Sequence, residues 1–297
     1  MNDEQWKKGL DVFDAVYGPG TSEMVKPYKD TPFNQEIVGN QFANIWGDEA
    51  FSIREKRLMV LGATAMLGRQ DLVEIQMTGA LVNEEFTDEQ LEQIPLFLLF
   101  YAGAGNTTAV FRGIEAAKAR VAEMKKAKYG PWAVIAGASE GTGECYAREL
   151  AAMGINLVLV SRRLPALEAL GEKLKSAHGI EYRAVAQDLT EQDAGLQIIE
   201  AAEGLDVGLY ISNAGANGFG SFFEDSTDSA HRLVRVNIST LIDASNGFGK
   251  AFLERGKGGI VVMASGAGLG GQPNLAMYSA TKAFEINFAE SLWAEYH

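Results

Sequence analysis

The chain has 297 residues, a formal net charge of −13 and a single cysteine. An acidic balance in both halves leaves no basic surface for nucleic acid or anionic lipid, and one cysteine excludes an intramolecular disulfide and any CxxC redox pair. The length fits two domains better than one. MNDEQWKK lacks a signal peptide's apolar core and no apolar run reads as long enough to cross a membrane, so a cytoplasmic protein is expected.

Residues 1–127 read as an all-α domain. Thr31 before Pro32, Ser52 followed by Glu55, and Thr87 followed by Gln90 mark helix starts. The segments REKRLMVLGATAMLG and QLEQIPLFLLFYAGAG are apolar around much of their circumference. Helices of that kind need burial on several sides, which points to a homo-oligomer.

In IREKRLMVLGATAMLGR, MTGALVN and FYAGAGNTTAVFRGIEAA this half resembles the carboxymuconolactone decarboxylase family. The resemblance implies a helical unit that assembles as rings or larger oligomers, with decarboxylase and CxxC disulfide-reductase branches. No cysteine lies in this half, which excludes the thiol branch. Gln76 stands where the family carries its acid/base histidine, and an amide does not cycle a proton near neutral pH. Asp71 and Glu74 are the nearby carboxylates, equally readable as surface charges on a helix. Tyr101, in the YAG segment, is a candidate for a pocket wall or for packing. His178, His231 and His297 all lie in the other half, His231 reading as a partly exposed helix residue. No His, Cys and carboxylate cluster has metal-ligand spacing, so no metal is expected.

A seam is expected near Lys126 to Pro131, where KAKYGP is polar and ends in a Gly-Pro break. Beyond it, WAVIA is a buried strand, followed by a glycine-rich turn at Gly137, Gly141 and Gly143 and then a helix. Glycines in that setting allow a tight turn, close backbone approach to a pyrophosphate and close helix packing. Cys145, in that helix, reads as a packed core thiol. A second strand INLVLVS, a helix from Leu164 to Ala177, a third strand YRAVAQ and a fourth, VGLYIS, lead into SNAGANGFG. Strands alternating with helices imply a parallel sheet with right-handed crossovers.

Ser265, Tyr278 and Lys282 follow at spacings of thirteen and four. A tyrosine and a lysine one helical turn apart share a face, and the ammonium favours the phenolate, so Tyr278 can act as general acid or base on an alcohol or carbonyl. An isolated YxxxK also reads as a solvated helix pair, but this one does not stand alone. Ser265 is placed to hold the same oxygen. After the second strand, where NAD-preferring enzymes usually carry a carboxylate, stand Ser161, Arg162 and Arg163. Two guanidiniums suit the extra phosphate of NADP, which is favoured over NAD. They read alternatively as solvent-facing, and Glu140 in the glycine turn weighs mildly against a phosphate site.

From about residue 131 to 297 these motifs resemble the short-chain dehydrogenase/reductase family. Its GxxxGxG turn falls on Gly137 to Gly143, enclosing Ser139 and Thr142. Its NAG motif falls on Asn213, Ala214 and Gly215, and its catalytic set on Asn237, Ser265, Tyr278 and Lys282. The resemblance implies a Rossmann-like, doubly wound parallel α/β sheet and hydride transfer between a nicotinamide cofactor and an alcohol or carbonyl. In that scheme Tyr278 moves the proton, Ser265 orients the substrate oxygen, Lys282 favours the phenolate and contacts the nicotinamide ribose, and Asn237 supports a water linking the lysine to solvent. Asp188 and Leu189 in QDLT are the implied adenine contacts, Asp188 reading otherwise as a helix N-cap.

Thr142 and Ser212 depart from the family pattern, and family members continue past the helix of Tyr278 into further strands, a Pro-Gly loop and a lid. The expectation is a five-stranded sheet whose edge is the strand running into Ser265, with a longer parent chain, the N-terminal region or a neighbouring subunit supplying the missing wall. Leu269 through Met277 are expected to border a roomy apolar pocket for a hydrophobic ketone or alcohol, such as a steroid, acyl or aromatic compound. Three functions remain: an NADP-dependent oxidoreductase whose helical domain serves assembly or substrate enclosure, a bifunctional enzyme whose helical half adds a decarboxylation, isomerisation or lactone step, and a non-catalytic nucleotide-binding or scaffold protein.

Overall fold

A computed structural model describes residues 2–296, and the chain divides into two compact units, Met1–Glu123 and Met124–His297. His297 lies outside the described residues.

In the first unit α1 (Asp3–Tyr17) starts at Asn2, whose side chain accepts from the Gln5 N–H. Short 3-10 turns at Thr21–Met24 and Lys26–Tyr28 lead to α2 (Pro32–Glu36), capped by Thr31, which runs on as wider π-type turns through Ile37–Trp46. Ser52 and Glu55 form both bonds of a capping box at the start of α3 (Ile53–Met66). Next comes α4 (Gln70–Val82). Thr87 and Gln90 exchange the equivalent bonds at the start of α5 (Asp88–Tyr129). No strand occurs among the described residues of this unit. Leu61, Val73, Met77, Val110 and Ile114 form one buried cluster, and Phe13, Phe42 and Trp46 another.

Three expectations change here. Lys126 to Tyr129 is helical, so the polar stretch expected at the seam belongs to the end of α5, and the division into units falls inside that helix. By length and composition α5 is long and apolar enough to cross a membrane: an 18-residue window reaches a mean hydropathy of 1.4 and is 11% buried. Its apolarity is spread over two runs with small residues between them, so no single run stands out in the sequence. The backbone leaves helical geometry inside that stretch, at Gly103 with φ 77°. Finally, Tyr101 is 69% exposed, with its ring beside that of Phe97 at 5.2 Å between centroids, so it does not pack in the core.

In the second unit five parallel strands, β1 (Trp132–Ala136), β2 (Asn156–Ser161), β3 (Tyr182–Ala186), β4 (Val207–Ser212) and β5 (Gly259–Val262), lie in the order β3-β2-β1-β4-β5. Consecutive apolar residues in β1, β2 and β4 are buried because both faces of the sheet are covered, whereas the edge strands β3 and β5 are only partly buried. The crossovers are α6 (Gly141–Ala152), α7 (Leu164–His178), α8 (Ala194–Ala201), and then α9 (Thr227–Val234) leading into α10 (Thr240–Arg255). Ile135, Leu157, Leu159, Leu167 and Leu174 pack on one face of the sheet, and Val134, Val158, Ile198, Tyr210 and Phe248 on the other. A doubly wound sheet of this kind reverses its strand order between β1 and β4, which opens a crevice at their carboxyl ends. The long helix α11 (Ala276–Tyr296) ends the described chain. Cys145 is exposed rather than packed, because α6 buries Gly143, Ala147, Leu150 and Ala151 and position 145 falls off that face.

Candidate active site

The crevice at the carboxyl ends of the strands is a cavity of about 610 Å³. Its floor begins at Gly137, which leaves β1 with φ 85°; a Cβ there would sit 2.8 Å from the Ala214 backbone. Gly143 is tighter still, since its Cβ would meet the Gly137 carbonyl oxygen at 2.0 Å and Asn213 Nδ2 at 2.7 Å. Asn213 donates to that same carbonyl at 3.0 Å, which ties the β1 and β4 ends together. Gly141 takes φ 58° in open space, and α6 begins there with no capping side chain, leaving its first backbone N–H groups for an anion.

Of the residues singled out in the sequence, Gly137, Ser139, Thr142, Arg162, Arg163, Asp188, Leu189, Asn213, Ala214, Gly215, Tyr278 and Lys282 all line this one cavity. Gly141 and Gly143 shape the turn from behind the lining. Arg163 pairs with Glu140 at 2.7 Å and donates to Ser139 Oγ at 3.1 Å, while Arg162 has no ion pair among the described residues. Asp188 does not cap a helix. Its Oδ1 accepts from the Thr190 N–H at 2.9 Å in a tight turn, and that bond holds its carboxyl below the usual carboxylate range, with Arg162 and Arg232 adding smaller pulls.

At the other end Tyr278 and Lys282 come from the first turns of α11. Lys282 Nζ lies 5.9 Å from the centre of the Tyr278 ring and donates to the Met263 carbonyl oxygen at 2.9 Å. Asn237 sits in a π-type turn, Arg235–Ser239, a local widening common at functional sites. It does not line the cavity. Only 2% exposed, it accepts from the Ala216 N–H and donates to the Ala216 carbonyl and to Thr281 Oγ1, pinning the loop after β4 to α11. Ser265 follows the lining residues Met263 and Ala264 but is itself outside the lining, and its Oγ accepts from the Ala267 N–H at the start of the 3-10 turn Gly266–Leu269. An accepting hydroxyl keeps its own proton to donate.

The stretch from Leu269 to Met277, expected to border the pocket, contributes nothing to this cavity; Leu269 itself is 82% exposed. Several lining residues were not anticipated. Gln187, Ala216 and Asn217 flank motifs that were visible, but Arg232 on α9 and Val236 on the π-type turn after it carried no signal in the sequence.

Gln76 accepts at Oε1 from Arg57 Nη1 at 2.9 Å and donates from Nε2 to the Tyr17 hydroxyl at 3.1 Å. Arg57 is fully buried, and Glu85, Gln76 and the Val16 carbonyl take up its guanidinium. Asp71 pairs with Arg69 and Glu74 with Arg120 at the surface. The group of ligands needed for a metal is absent among the described residues.

The family model described as short chain dehydrogenase matches residues 131–297. Among curated proteins, the chain is 36% identical over 169 residues to the 17-beta-hydroxysteroid dehydrogenase type 3 of Mus musculus, covering 56% of this chain and 55% of that one. It is 33% identical over 168 residues to the 7beta-hydroxysteroid dehydrogenase of Mediterraneibacter gnavus, covering 57% and 64%, and 33% identical over 172 residues to the very-long-chain 3-oxoacyl-CoA reductase of Anas platyrhynchos, covering 56% and 55%. The chain therefore spans less than two thirds of the length of these relatives. Among solved structures, a short-chain dehydrogenase from Sphingobium yanoikuyae in complex with NADPH matches with a TM-score of 0.53 at 31% identity, over 56% of this chain and 65% of that one. A short-chain dehydrogenase/reductase from Burkholderia phymatum in complex with NAD matches with a TM-score of 0.52 at 29% identity, over 56% and 60%.

Proposed function

The chain belongs to the short chain dehydrogenase family, and on that premise we propose that it is an NADP(H)-dependent oxidoreductase interconverting a hydrophobic alcohol and its ketone or aldehyde, with Tyr278 as general acid and base. The observation that carries this reading is the presence of Tyr278 and Lys282 on the wall of the same cavity as the glycine turn and Arg162.

The residues present fit a nicotinamide dinucleotide. A cradle that even one added Cβ would fill at Gly137 or Gly143, and an uncapped α6 N-terminus, suit a pyrophosphate. Arg162, with Arg163 and Ser139, would hold a ribose phosphate, and Asp188 and Leu189 would hold the adenine. A bound nicotinamide supplies or accepts the hydride at the reacting carbon. The chain's own residues handle the oxygen. Tyr278 gives it a proton in reduction and removes one in oxidation, Ser265 orients it by donating a hydrogen bond, and Lys282 lowers the cost of the phenolate.

The preference for NADP over NAD rests on Arg162 and Arg163 and on the lack of a carboxylate at the end of β2. A bulky apolar substrate is supported by the names of the steroid and acyl relatives and by exposed Phe219, Phe222 and Phe223 in the loop after β4. Asn237, in this reading, keeps that loop in register with α11. We further propose that the helical region is a carboxymuconolactone decarboxylase-like unit that serves assembly; Leu96, Phe97 and Phe100 on α5 are exposed and apolar, and Gln76 is held in a buried network with no proton to exchange.

The test is NADPH oxidation with a 17-ketosteroid and a set of bulky aryl ketones, and NADP reduction with the matching alcohols. Turnover of at least one pair is expected. A protein that binds NADPH yet turns over none of them in either direction is not the proposed enzyme.

A further inference from the structure

The proposed reaction leaves one buried ionisable group on α11 without a role. Glu285, one turn beyond Lys282, is 3% exposed, and both of its carboxylate oxygens accept from Lys282 Nζ, at 2.9 and 2.7 Å. With the Met263 carbonyl oxygen at 2.9 Å, three acceptors take up the ammonium's three donors. Only 4% of either side chain is exposed. A buried ion pair is weak evidence for stability, because desolvation offsets most of the attraction. This one also sits at the cavity wall, on the lysine nearest Tyr278.

We propose that Glu285 is a positioning residue: it fixes Lys282 Nζ at the cavity wall and offsets part of its positive charge, which weakens the stabilisation that Lys282 offers a phenolate at Tyr278. The inference rests on the reading of Tyr278 as the proton donor.

The electrostatic surroundings single out this carboxylate. The elements packed on α11 bring Asp228, His231 and Arg232 from α9 and Arg235 from the π-type turn, while β5 and the 3-10 turn after it bring no titratable group. Arg232 lines the same cavity and Arg235 carries a buried Nε without a hydrogen-bond partner, but the charge that acts on Glu285 is that of Lys282. Glu285 is the one anion bonded to the lysine. Burial raises its carboxyl above the usual carboxylate range, against the opposing hydrogen bond and charge of Lys282.

The test needs neither cofactor nor substrate. Near-ultraviolet absorbance follows tyrosine ionisation in the full chain, and subtracting the same titration in a Tyr278→Phe background isolates Tyr278 among nine tyrosines. Glu285→Gln keeps an acceptor on Lys282 but removes the charge. The Tyr278 transition is expected about one pH unit lower in that variant than in the wild type, and within a few tenths of the wild type in Glu285→Asp. No shift, or an upward one, overturns the proposal, as does an equal shift in Glu285→Asp, which would be a packing effect. Turnover that persists in Tyr278→Phe removes the proton-donor reading of Tyr278 on which this inference rests, whereas an unshifted titration with turnover lost in Tyr278→Phe overturns the role of Glu285 alone. Should Glu285→Gln fail to fold, a crystal structure of the wild type with NADP decides: Lys282 Nζ within hydrogen-bond distance of Glu285 is expected, and an Nζ withdrawn from it overturns the proposal.

Discussion

Arg162 and Arg163 are neighbours in sequence, yet replacing them one at a time should have different consequences. Arg163 is committed to Glu140 at 2.7 Å, with side chains 54% and 76% exposed, whereas Arg162 is unpaired among the described residues and lines the cavity beside Asp188. An exposed ion pair contributes about 0.2–1 kcal/mol, while a guanidinium hydrogen-bonded to a charged phosphate contributes about 1.5–3 kcal/mol. Contact between Arg163 and a ribose phosphate must first give up Glu140, leaving a net of about 1 kcal/mol, or roughly fivefold in affinity. Arg162 gives up nothing and should be worth about 2 kcal/mol, or roughly thirtyfold. Dissociation constants for NADPH and NADH, from reduced-nicotinamide fluorescence at fixed ionic strength, measure both. The expected order is a large NADPH loss in Arg162→Ala, a small one in Arg163→Ala, and NADH within about twofold throughout. Glu140→Gln should tighten NADPH severalfold by releasing Arg163 and removing an opposing charge. Equal losses for NADPH and NADH in the arginine variants, or weaker NADPH binding in Glu140→Gln, would refute the phosphate-site reasoning.

Three other perturbations follow from the geometry. Gly143→Ala places a Cβ 2.0 Å from the Gly137 carbonyl oxygen and 2.7 Å from Asn213 Nδ2, so calorimetry should show a loss of about 1–3 kcal/mol together with lost NADPH binding; a variant that keeps both contradicts the close packing of the turn. Arg57→Met leaves Glu85 buried without its partner and should cost about 3–5 kcal/mol in urea melts, with much of it recovered by adding Glu85→Leu, and a single variant within 1 kcal/mol of the wild type would show the network to be dispensable. Complete burial pushes the Tyr210 phenol up to about 12 from the ordinary 10. The folded state thus holds a proton that the unfolded state releases above pH 10, so stability falls by about 1.4 kcal/mol per pH unit as pH rises from 10 to 12. Tyr210→Phe should flatten that slope, and an unchanged alkaline slope would show that Tyr210 is not its source.

Much of the second unit was legible in the sequence because its signals are local and each has one physical meaning. Uninterrupted apolar runs such as NLVLV belong in a sheet covered on both faces, and Gly137 and Gly143 stand where any side chain would collide with backbone. The capping pairs Ser52 with Glu55 and Thr87 with Gln90 were equally direct. What escaped depends on which face a residue takes after folding. Lys282 and Glu285 at i and i+3 have the pattern of a surface pair, and only the packing of α11 buries them. Cys145 looked apolar enough for a core but falls off the buried stripe of α6. Arg232 reaches the cavity through the α9 crossover, a long-range placement that no short motif encodes. The polar KAKY suggested a linker, yet these residues are good helix formers and continue α5 to Tyr129.

The most direct test of the central claim compares the wild type with Tyr278→Phe in steady-state NADPH-dependent ketone reduction, alongside the NADPH dissociation constant of each. With the proton donor removed and the cavity otherwise intact, kcat should fall by at least about a hundredfold while NADPH affinity stays within about threefold. A Tyr278→Phe enzyme that keeps the wild-type kcat would contradict the assignment of proton transfer to this residue.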